Sequence, residues 1–167
     1  TDVALLRNLL SSLTSEMYNW TETGVRKSLN RLMDKDTVVH MCHPFGDTTG
    51  DKYYDNVLTH LNEALPDLER RPWISMAGVD DHGNYWIGNA GTYLGTFSKP
   101  FLDIQPTGHL AHMRFHEYFK IQNQKIIEIQ AIWDIPELMM QAKSWPMAPS
   151  LGREGLVPGP AKCDGLQ

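Results

Sequence analysis

The stretch HLAHMRFHEYFKIQ, residues 109–122, decides the fold, and a short turn separates it from KIIEIQAIW, residues 125–133. Successive side chains of a β-strand point to opposite faces. One face of the first segment is apolar apart from one acid: it carries Ala111, Met113, Phe115, Glu117, Phe119 and Ile121. The other face carries Leu110, His112, Arg114, His116, Tyr118 and Lys120. This period of two predicts a long strand with one face against a core.

The second segment predicts a neighbouring strand whose apolar face matches the first, with Ile127, Ile129, Ala131 and Trp133 pointing inward. Two more segments with a period of two precede the pair, at residues 73–79 and 85–96. The turn sequences DDHGN (80–84) and QNQ (122–124) would join strands into antiparallel hairpins.

Helical patterns fill the first third of the chain. An apolar stripe with steps of three and four residues predicts a first helix, made of Leu6, Leu9, Leu10, Leu13, Met17 and Trp20. A second helix is expected over 25–33 and a third over 54–65, with a short strand at 37–39 and the turn formers HPFGDTTG (43–50) between them. Asp134 is expected to cap a last helix over 135–143.

Helices followed by long antiparallel strands predict an α+β fold. A strongly curved, mainly antiparallel sheet wrapped around the N-terminal helices would bury both apolar faces, giving a cone-shaped half-barrel. The open end of such a cone is where a ligand pocket forms. We expect one domain over residues 1–148, followed by a Pro/Gly-rich tail over 149–167.

Composition excludes several classes of protein. The 167 residues are 41% apolar and 21% charged, with a net charge of −5, which argues against a surface for nucleic acid. The basic groups Arg70-Arg71 and 26–31 are interpreted as solvated surface. No stretch is apolar enough to span a membrane, and the two cysteines, Cys42 and Cys163, make no disulfide framework. A cytoplasmic protein is expected.

Glu117 is the most informative candidate. An unpaired carboxylate among apolar side chains costs several kcal/mol or takes up a proton. Glu117 therefore either has an internal partner, or a bulge flips its strand, or it lies in a water-accessible cavity and acts as a general acid or base.

Other polar candidates carry structural alternatives. His43 precedes Pro44, which would hold it extended at the mouth of a loop, so a pocket role and a turn role both stay open. His112-x-Arg114-x-His116 has metal-like spacing, but a hydrated outer face or a dimer contact explains it better. The Asp80 cluster and Asp134 suit a hairpin tip and a helix cap. No metal or cofactor is expected.

Five motifs in this order resemble the SnoaL-like polyketide cyclase family, within the nuclear-transport-factor-2-like superfamily. They are HPFGDTTG, ALPDLERR, GTYLGTF, PTGHLAHMRFHEYFKIQNQKIIE and WDIPELMMQA, which lie between His43 and Ala142. The resemblance implies a cone with an internal pocket, a homodimer, and cofactor-free acid/base chemistry on a polyketide. In that chemistry a base removes a proton next to a carbonyl, and an acid protonates the carbonyl that is attacked. Members that resemble this chain sometimes carry two copies, so the resemblance also suits the 149–167 tail as a linker to a second copy.

This sequence departs from the family's pattern at the principal catalytic position. The cyclases' catalytic Asp position falls on Ala131, their His position on Glu117, and their polar loop residue on His43. Since Ala131 transfers no proton, the cyclase mechanism does not carry over unchanged. We therefore expect Glu117 as the acid/base residue and His43 as its partner, in a cavity shaped by Trp86, Tyr93, Phe115 and Trp133.

Two functions follow from this reading. The first is cyclisation, isomerisation or dehydration of a small hydrophobic carbonyl compound; the second is a non-catalytic module that binds a small ligand or dimerises. For the first, Glu117→Gln is expected to leave folding intact and abolish turnover. A buried, ion-paired Glu117 without an adjoining cavity would favour the second.

A homodimer is expected from the outer face of the sheet, because clustered apolar residues there are more often covered than exposed to water. The residues assigned to that face are Leu110, Tyr118, Ile126 and Ile132.

Overall fold

The computed structural model describes residues 2–143 and confirms an α+β cone-like fold. The elements are α1 (Asp2–Tyr18), α2 (Glu22–Leu32), β1 (Met33–Met41), β2 (Asp47–Thr49), α3 (Thr59–Ala64), β3 (Glu69–Val79), β4 (Tyr85–Thr96), β5 (Leu110–Gln122), β6 (Lys125–Trp133) and α4 (Ile135–Gln141). A 3₁₀ turn (Gly50–Lys52) and a π-helical turn (Tyr54–Leu58) lead into α3, so the predicted third helix is irregular over its first half.

The six strands form one mixed sheet in the order β2-β1-β6-β5-β4-β3. All neighbours are antiparallel except β1 and β6, which run parallel. The hairpins β3–β4 and β5–β6 turn at one end of the sheet. The loop 42–46, the β4–β5 connection and α4 lie at the other end.

The N-terminal helices cover one face of this sheet. Their apolar stripes are buried, with Leu13 and Met17 of α1 and Val25 and Leu29 of α2 each less than 5% exposed. Thr21 begins α2 by accepting a hydrogen bond from the N–H of Gly24, which satisfies one of the free donors of the first turn. The apolar stripes of the helices and the inward face of the sheet therefore form one core.

The inward face of β6 differs from the prediction by one residue at its start. Lys120 pairs with Glu128 but Ile121 pairs with Ile126, so Ile127 is an extra residue in β6. This β-bulge turns Ile126 into the core, where it is 0% exposed, and leaves Ile127 half-buried. Assigning Ile127 to the core and Ile126 to the outer face was therefore wrong. The bulge lies beyond Glu117 and leaves its orientation unchanged.

Several strands are longer than their sequence patterns indicated. β1 covers nine residues rather than three, and β3 begins at Glu69, four residues before the predicted start. A register shift between Pro72 and Ile74 interrupts the β3 pattern. The short β2, Asp47–Thr49, lies inside the run of turn formers, which had concealed it.

Helix α4 starts as its sequence predicts, since the Asp134 carboxylate accepts the N–H of Glu137. Its side chains then pair with the part of β5 that extends beyond β6. Glu137 Oε1 accepts the backbone N–H of Arg114, while Gln141 accepts from the N–H of His112 and donates to its carbonyl. Two side chains thus replace a missing strand.

The predicted tail, 149–167, and Cys163 lie outside the described residues. Cys42 is half-buried, and its Sγ accepts the N–H of Trp133 at 3.4 Å. None of the helices within residues 2–143 is long and apolar enough to cross a membrane.

Candidate functional site

The carboxylate of Glu117, which points inward from β5, has a hydrogen-bond donor at each of its acceptor positions. Glu117 is 1% exposed. Its Oε1 accepts hydrogen bonds from Nε and Nη2 of Arg70, both at 2.9 Å. Its Oε2 accepts from the Tyr93 hydroxyl at 2.6 Å and from Trp133 Nε1 at 2.8 Å. An ionised carboxylate offers about four acceptor positions, and all of them are filled by these donors.

Arg70 reaches this position from β3, where its backbone pairs with Tyr93 of β4. Its guanidinium is buried and lies over the Phe115 ring, 4.4 Å from the centroid. The Asn89 amide, turned with its oxygen toward Arg70, accepts a further hydrogen bond of 3.3 Å. Burial lowers the pKa of Arg70, but the Glu117 carboxylate more than offsets this effect and raises it overall. Arg70 therefore stays charged and neutralises the acid.

Tyr93 supplies a phenol that stays protonated. Burial raises the pKa of Tyr93 well above its usual value, and the nearby Glu117 charge raises it further. Tyr53, also buried, has its pKa raised well above the usual value by the same two causes. A phenol in this state keeps its proton, so Tyr93 is the hydrogen-bond donor of the pair and Glu117 is the acceptor.

Aromatic rings enclose the acid. The Tyr93 ring lies 4.7 Å from the Phe115 ring and 5.3 Å from the Trp133 ring, measured between centroids. Gly91, on β4 opposite Phe115, has no side chain, and a Cβ there would come within 2.8 Å of the Phe115 ring and 2.2 Å of the Arg71 carbonyl. A glycine at this position leaves room for the Phe115 ring and for the backbone of β3.

Three of the four predicted wall residues thus surround Glu117, and the fourth does not. Trp86 pairs with Lys120 on the outer face of the sheet, its ring 5.7 Å from the ammonium. Its Nε1 donates to Asp80 at the hairpin tip, 2.9 Å away. Assigning Trp86 to the cavity was wrong because an even-numbered residue of β4 faces outward in this register.

The partner predicted for Glu117 is also corrected. His43 is exposed in the loop 42–46, and none of the hydrogen bonds of Glu117 within residues 2–143 comes from it. The same loop does reach the site through Phe45, whose ring lies 5.6 Å from the Trp133 ring. Arg70 and Tyr93 take the place that was assigned to His43.

Arg70 is the site residue that the sequence reading missed. Arg70-Arg71 was interpreted as solvated surface, which holds for Arg71 alone; Arg70 is 2% exposed. The signal was available, because a lone inward carboxylate needs a buried cation. The alternation of β3 alone does not single out Arg70, because Ser75 and Ala77 face inward and only the register shift between Pro72 and Ile74 brings Arg70 to the same face.

Ala131 lies directly opposite Glu117 on β6 and is 4% exposed. The position to which the resemblance assigns the cyclases' catalytic Asp thus carries a methyl group beside the ion pair. The chain keeps a carboxylate at this level of the cone, but on β5.

The model of the SnoaL-like polyketide cyclase family matches residues 12–142. The chain belongs to this family. No curated protein matches it in sequence. Because the match spans most of the chain, it supports a cyclase-type role for this family member.

Solved structures show the same fold at low sequence identity. AclR from Streptomyces galilaeus, titled a candidate hydroxylase, is 18% identical with a TM-score of 0.71, over 89% of this chain and 87% of AclR. IdmH from Streptomyces antibioticus, titled a candidate polyketide cyclase, is 16% identical with a TM-score of 0.68, over 83% and 98%. An NTF2-like protein from Burkholderia thailandensis E264 is 16% identical with a TM-score of 0.58, over 83% and 96%.

Proposed function

We propose that this chain performs cofactor-free acid/base chemistry on a small hydrophobic carbonyl compound, such as a polyketide, inside its cone. The observation that carries the proposal is the 2.6 Å hydrogen bond between the Tyr93 phenol and the buried Glu117 carboxylate. It places a proton donor and a proton acceptor side by side among aromatic rings. Membership of the SnoaL-like family supports the reaction type.

The proton steps follow from this pair. A substrate carbonyl that accepts the Tyr93 O–H turns the phenol's hydrogen away from Glu117 Oε2. One acceptor position of the carboxylate then becomes free to take the proton from the carbon next to that carbonyl. Electron density moves to the carbonyl oxygen, where the phenol stabilises it. The resulting enol or enolate attacks a second carbonyl in a cyclisation, or is protonated elsewhere in an isomerisation.

Arg70 has a positioning role in this scheme. Its two N–H groups hold Glu117 Oε1, so that Oε2 alone exchanges partners. Charge-assisted hydrogen bonds of this kind are shorter and stronger than neutral ones. Tyr93, Phe115 and Trp133 supply apolar contact for the substrate, and Phe45 covers Trp133 from the loop side.

Hydrogen–deuterium exchange tests the proposal without knowledge of the natural product. A panel of bicyclic and tricyclic aromatic ketones, beginning with 1-tetralone, is incubated in D₂O, and loss of the α-proton signal is followed by NMR. Wild type is expected to accelerate exchange for at least one ketone, and Tyr93→Phe to slow it about 100-fold, in the range of general acid/base effects. Tyr118→Phe, which alters an exposed tyrosine on the outer face, is the matched control. Equal rates for wild type and Tyr93→Phe across the panel would exclude the mechanism.

A second function is favoured by a different observation. Both oxygens of Glu117 already carry two donors each, as expected of a structural ion pair. With an ion pair of purely structural role, the domain binds a small hydrophobic ligand without turnover, or serves as a dimerisation module. It would give no accelerated exchange with any ketone, while saturable binding of a ketone would distinguish the ligand-binding role from the dimerisation role.

A further inference from the structure

A cavity of about 680 Å³ opens at the hairpin end of the sheet, away from the loop 42–46. It lies between α1 and the tips of the β3–β4 and β5–β6 hairpins. Its volume falls within the range of small-molecule sites, roughly 300–1,000 Å³. Ile121 in its wall is four residues along β5 from Glu117, which is about 14 Å at the usual rise of a strand. The buried Ile87–Phe119 pair lies between the two.

One wall of this cavity is apolar. Leu5, Leu6 and Leu9 of α1 face Ile121 of β5 across it. Leu5, which lies outside the apolar stripe of α1, is 67% exposed, and Leu6 and Leu9 of the stripe are only partly buried. An alkyl chain lying here would cover apolar surface that the fold leaves in water, at about 25 cal/mol for each Å².

The other wall is polar and contains a single charged residue. Residues with amide side chains line it from α1 and both hairpins, and of these the Asn84 amide already donates to the Asp80 carboxylate; they are Asn8, Asn84, Gln122, Asn123 and Gln124. Arg31 from the end of α2 supplies the one charge among the lining residues, and no aspartate or glutamate lines the cavity. The Arg31 guanidinium donates to Ser12 Oγ, and no ion pair within residues 3–143 involves it.

The β5–β6 turn has Asn123 and Gln124 at two positions whose positive φ favours glycine. Asn123 and Gln124 both have positive φ, at 52° and 61°, the conformation of a two-residue hairpin turn that usually takes Asn-Gly. Glutamine in this region costs about 1 kcal/mol. Gln124 is one of the residues that line the cavity.

We propose that this cavity binds a small amphipathic carboxylate, with its alkyl chain against the leucines of α1 and its carboxylate at Arg31. This site is distinct from Glu117 and does not depend on the proposed function. A guanidinium without an acidic partner recognises a carboxylate in two-pronged geometry. The amides around it complete the hydrogen bonds of the bound oxygens.

Calorimetric titration of the full chain with decanoate, below its micelle concentration, tests the site. Decanoate is expected to bind saturably, and decanol at least tenfold more weakly. Arg31→Gln should reduce decanoate affinity at least tenfold and leave decanol unchanged. Arg7→Gln removes the same charge from the neighbouring helix α1, outside the cavity, and should bind decanoate like wild type.

Amide NMR signals locate the bound molecule. The side-chain signals of Asn123 and Gln124 are expected to shift on addition of decanoate, and Leu6→Asn should abolish the shifts. The inference fails if wild type shows no saturable binding, if Arg31→Gln and Arg7→Gln bind equally, or if decanol binds as tightly as decanoate. Shifts confined to the Trp133 indole would place the ligand in the cone interior and also overturn the inference.

Discussion

At the scale of single residues, the buried ion pair sets both the energetics and the chemistry of this molecule. Glu117 and Arg70 are each almost completely shielded from water. A buried charge is tolerated when it is paired and its remaining hydrogen-bond positions are filled. Removing one member leaves the other as an uncompensated charge. The expectation that Glu117→Gln leaves folding intact is therefore revised by the geometry.

Glu117→Gln is expected to lower the free energy of unfolding by about 3–5 kcal/mol, because Arg70 loses its counter-charge in the core. Urea unfolding followed by tryptophan fluorescence measures the change. Glu128→Gln, on the opposite face of the neighbouring strand, serves as control with an expected change of about 0.5 kcal/mol or less. Equal stability of the two variants would show that the ion pair contributes nothing to the fold.

Residue-level prediction from sequence succeeded where a periodic pattern was unbroken. Alternation along β5 placed Glu117 inward beside Phe115, and Tyr93 and Trp133 were assigned to the same interior. Arg70 was missed because β3 begins at Glu69, four residues before the predicted start at Trp73, and because the register shift at Pro72 interrupts the alternation of the strand. His43 was assigned from the loop's sequence, which contains no information on where an exposed imidazole points.

At the scale of elements, side chains of α4 form hydrogen bonds with backbone groups of β5 that no neighbouring strand pairs with. β5 extends past the end of β6, and its free backbone groups are taken up by Glu137 and Gln141 of α4. His112 Nδ1 lies 3.4 Å from Glu137 Oε1. Partial burial raises the pKa of Glu137, but hydrogen bonds from His112 and the Arg114 N–H outweigh it and hold the pKa below the usual value.

A lowered pKa in the folded state predicts that Glu137 stabilises the fold above its unfolded pKa, about 4.3, and that this stabilisation is lost as the pH falls through the folded value. We expect Glu137→Gln to cost about 1–3 kcal/mol at pH 7 and much less at pH 3. Urea unfolding at the two pH values checks this. Glu63→Gln, an exposed glutamate on α3, is the control; a pH-independent loss in Glu137→Gln would contradict the assignment.

The β5–β6 turn gives a second prediction at this scale. Gln124→Gly is expected to stabilise the chain by about 1 kcal/mol, since glycine adopts positive φ without the Cβ penalty. Thermal unfolding measures the difference, and Gly83→Ala, at the tip of the other hairpin where φ is 80°, should shift stability in the opposite direction. A destabilised Gln124→Gly would mean that the Gln124 side chain stabilises the free protein.

Element order and type were predictable because the helical stripes and the strand alternation are long. The β6 bulge and the short β2 were not, since each depends on one or three residues and on pairing with a distant strand. Parallel pairing of β1 with β6 is likewise a tertiary choice: nothing in either segment distinguishes a parallel neighbour from an antiparallel one.

At the scale of the whole molecule, the sheet has one covered and one exposed face. Leu110, Tyr118 and Ile132 lie on the exposed face and are 69%, 38% and 62% accessible. Ile126 does not belong to this set. Tyr118 also lies over Gly88, where a Cβ would come within 2.8 Å of the ring. We propose that a second copy of the chain covers this face.

Sedimentation velocity at micromolar concentration is expected to give twice the chain mass of 19.0 kDa. Ile132→Glu should shift the protein to the monomer, because it places a charge on the face that the second copy would cover. Val3→Glu alters an exposed apolar residue on α1 and should stay dimeric. A monomeric wild type would contradict the proposed covering of this face.

The central claim is that Glu117 takes a proton through the position shared with Tyr93. The most direct test is the rate of α-proton exchange in 1-tetralone, or in the panel ketone that wild type exchanges fastest, catalysed by Glu117→Asp. Aspartate keeps the charge opposite Arg70 but withdraws the carboxylate by one methylene from the phenol and the substrate. We predict a folded protein by near-ultraviolet circular dichroism with exchange slowed about 100-fold. A folded Glu117→Asp variant that exchanges at the wild-type rate would contradict the claim.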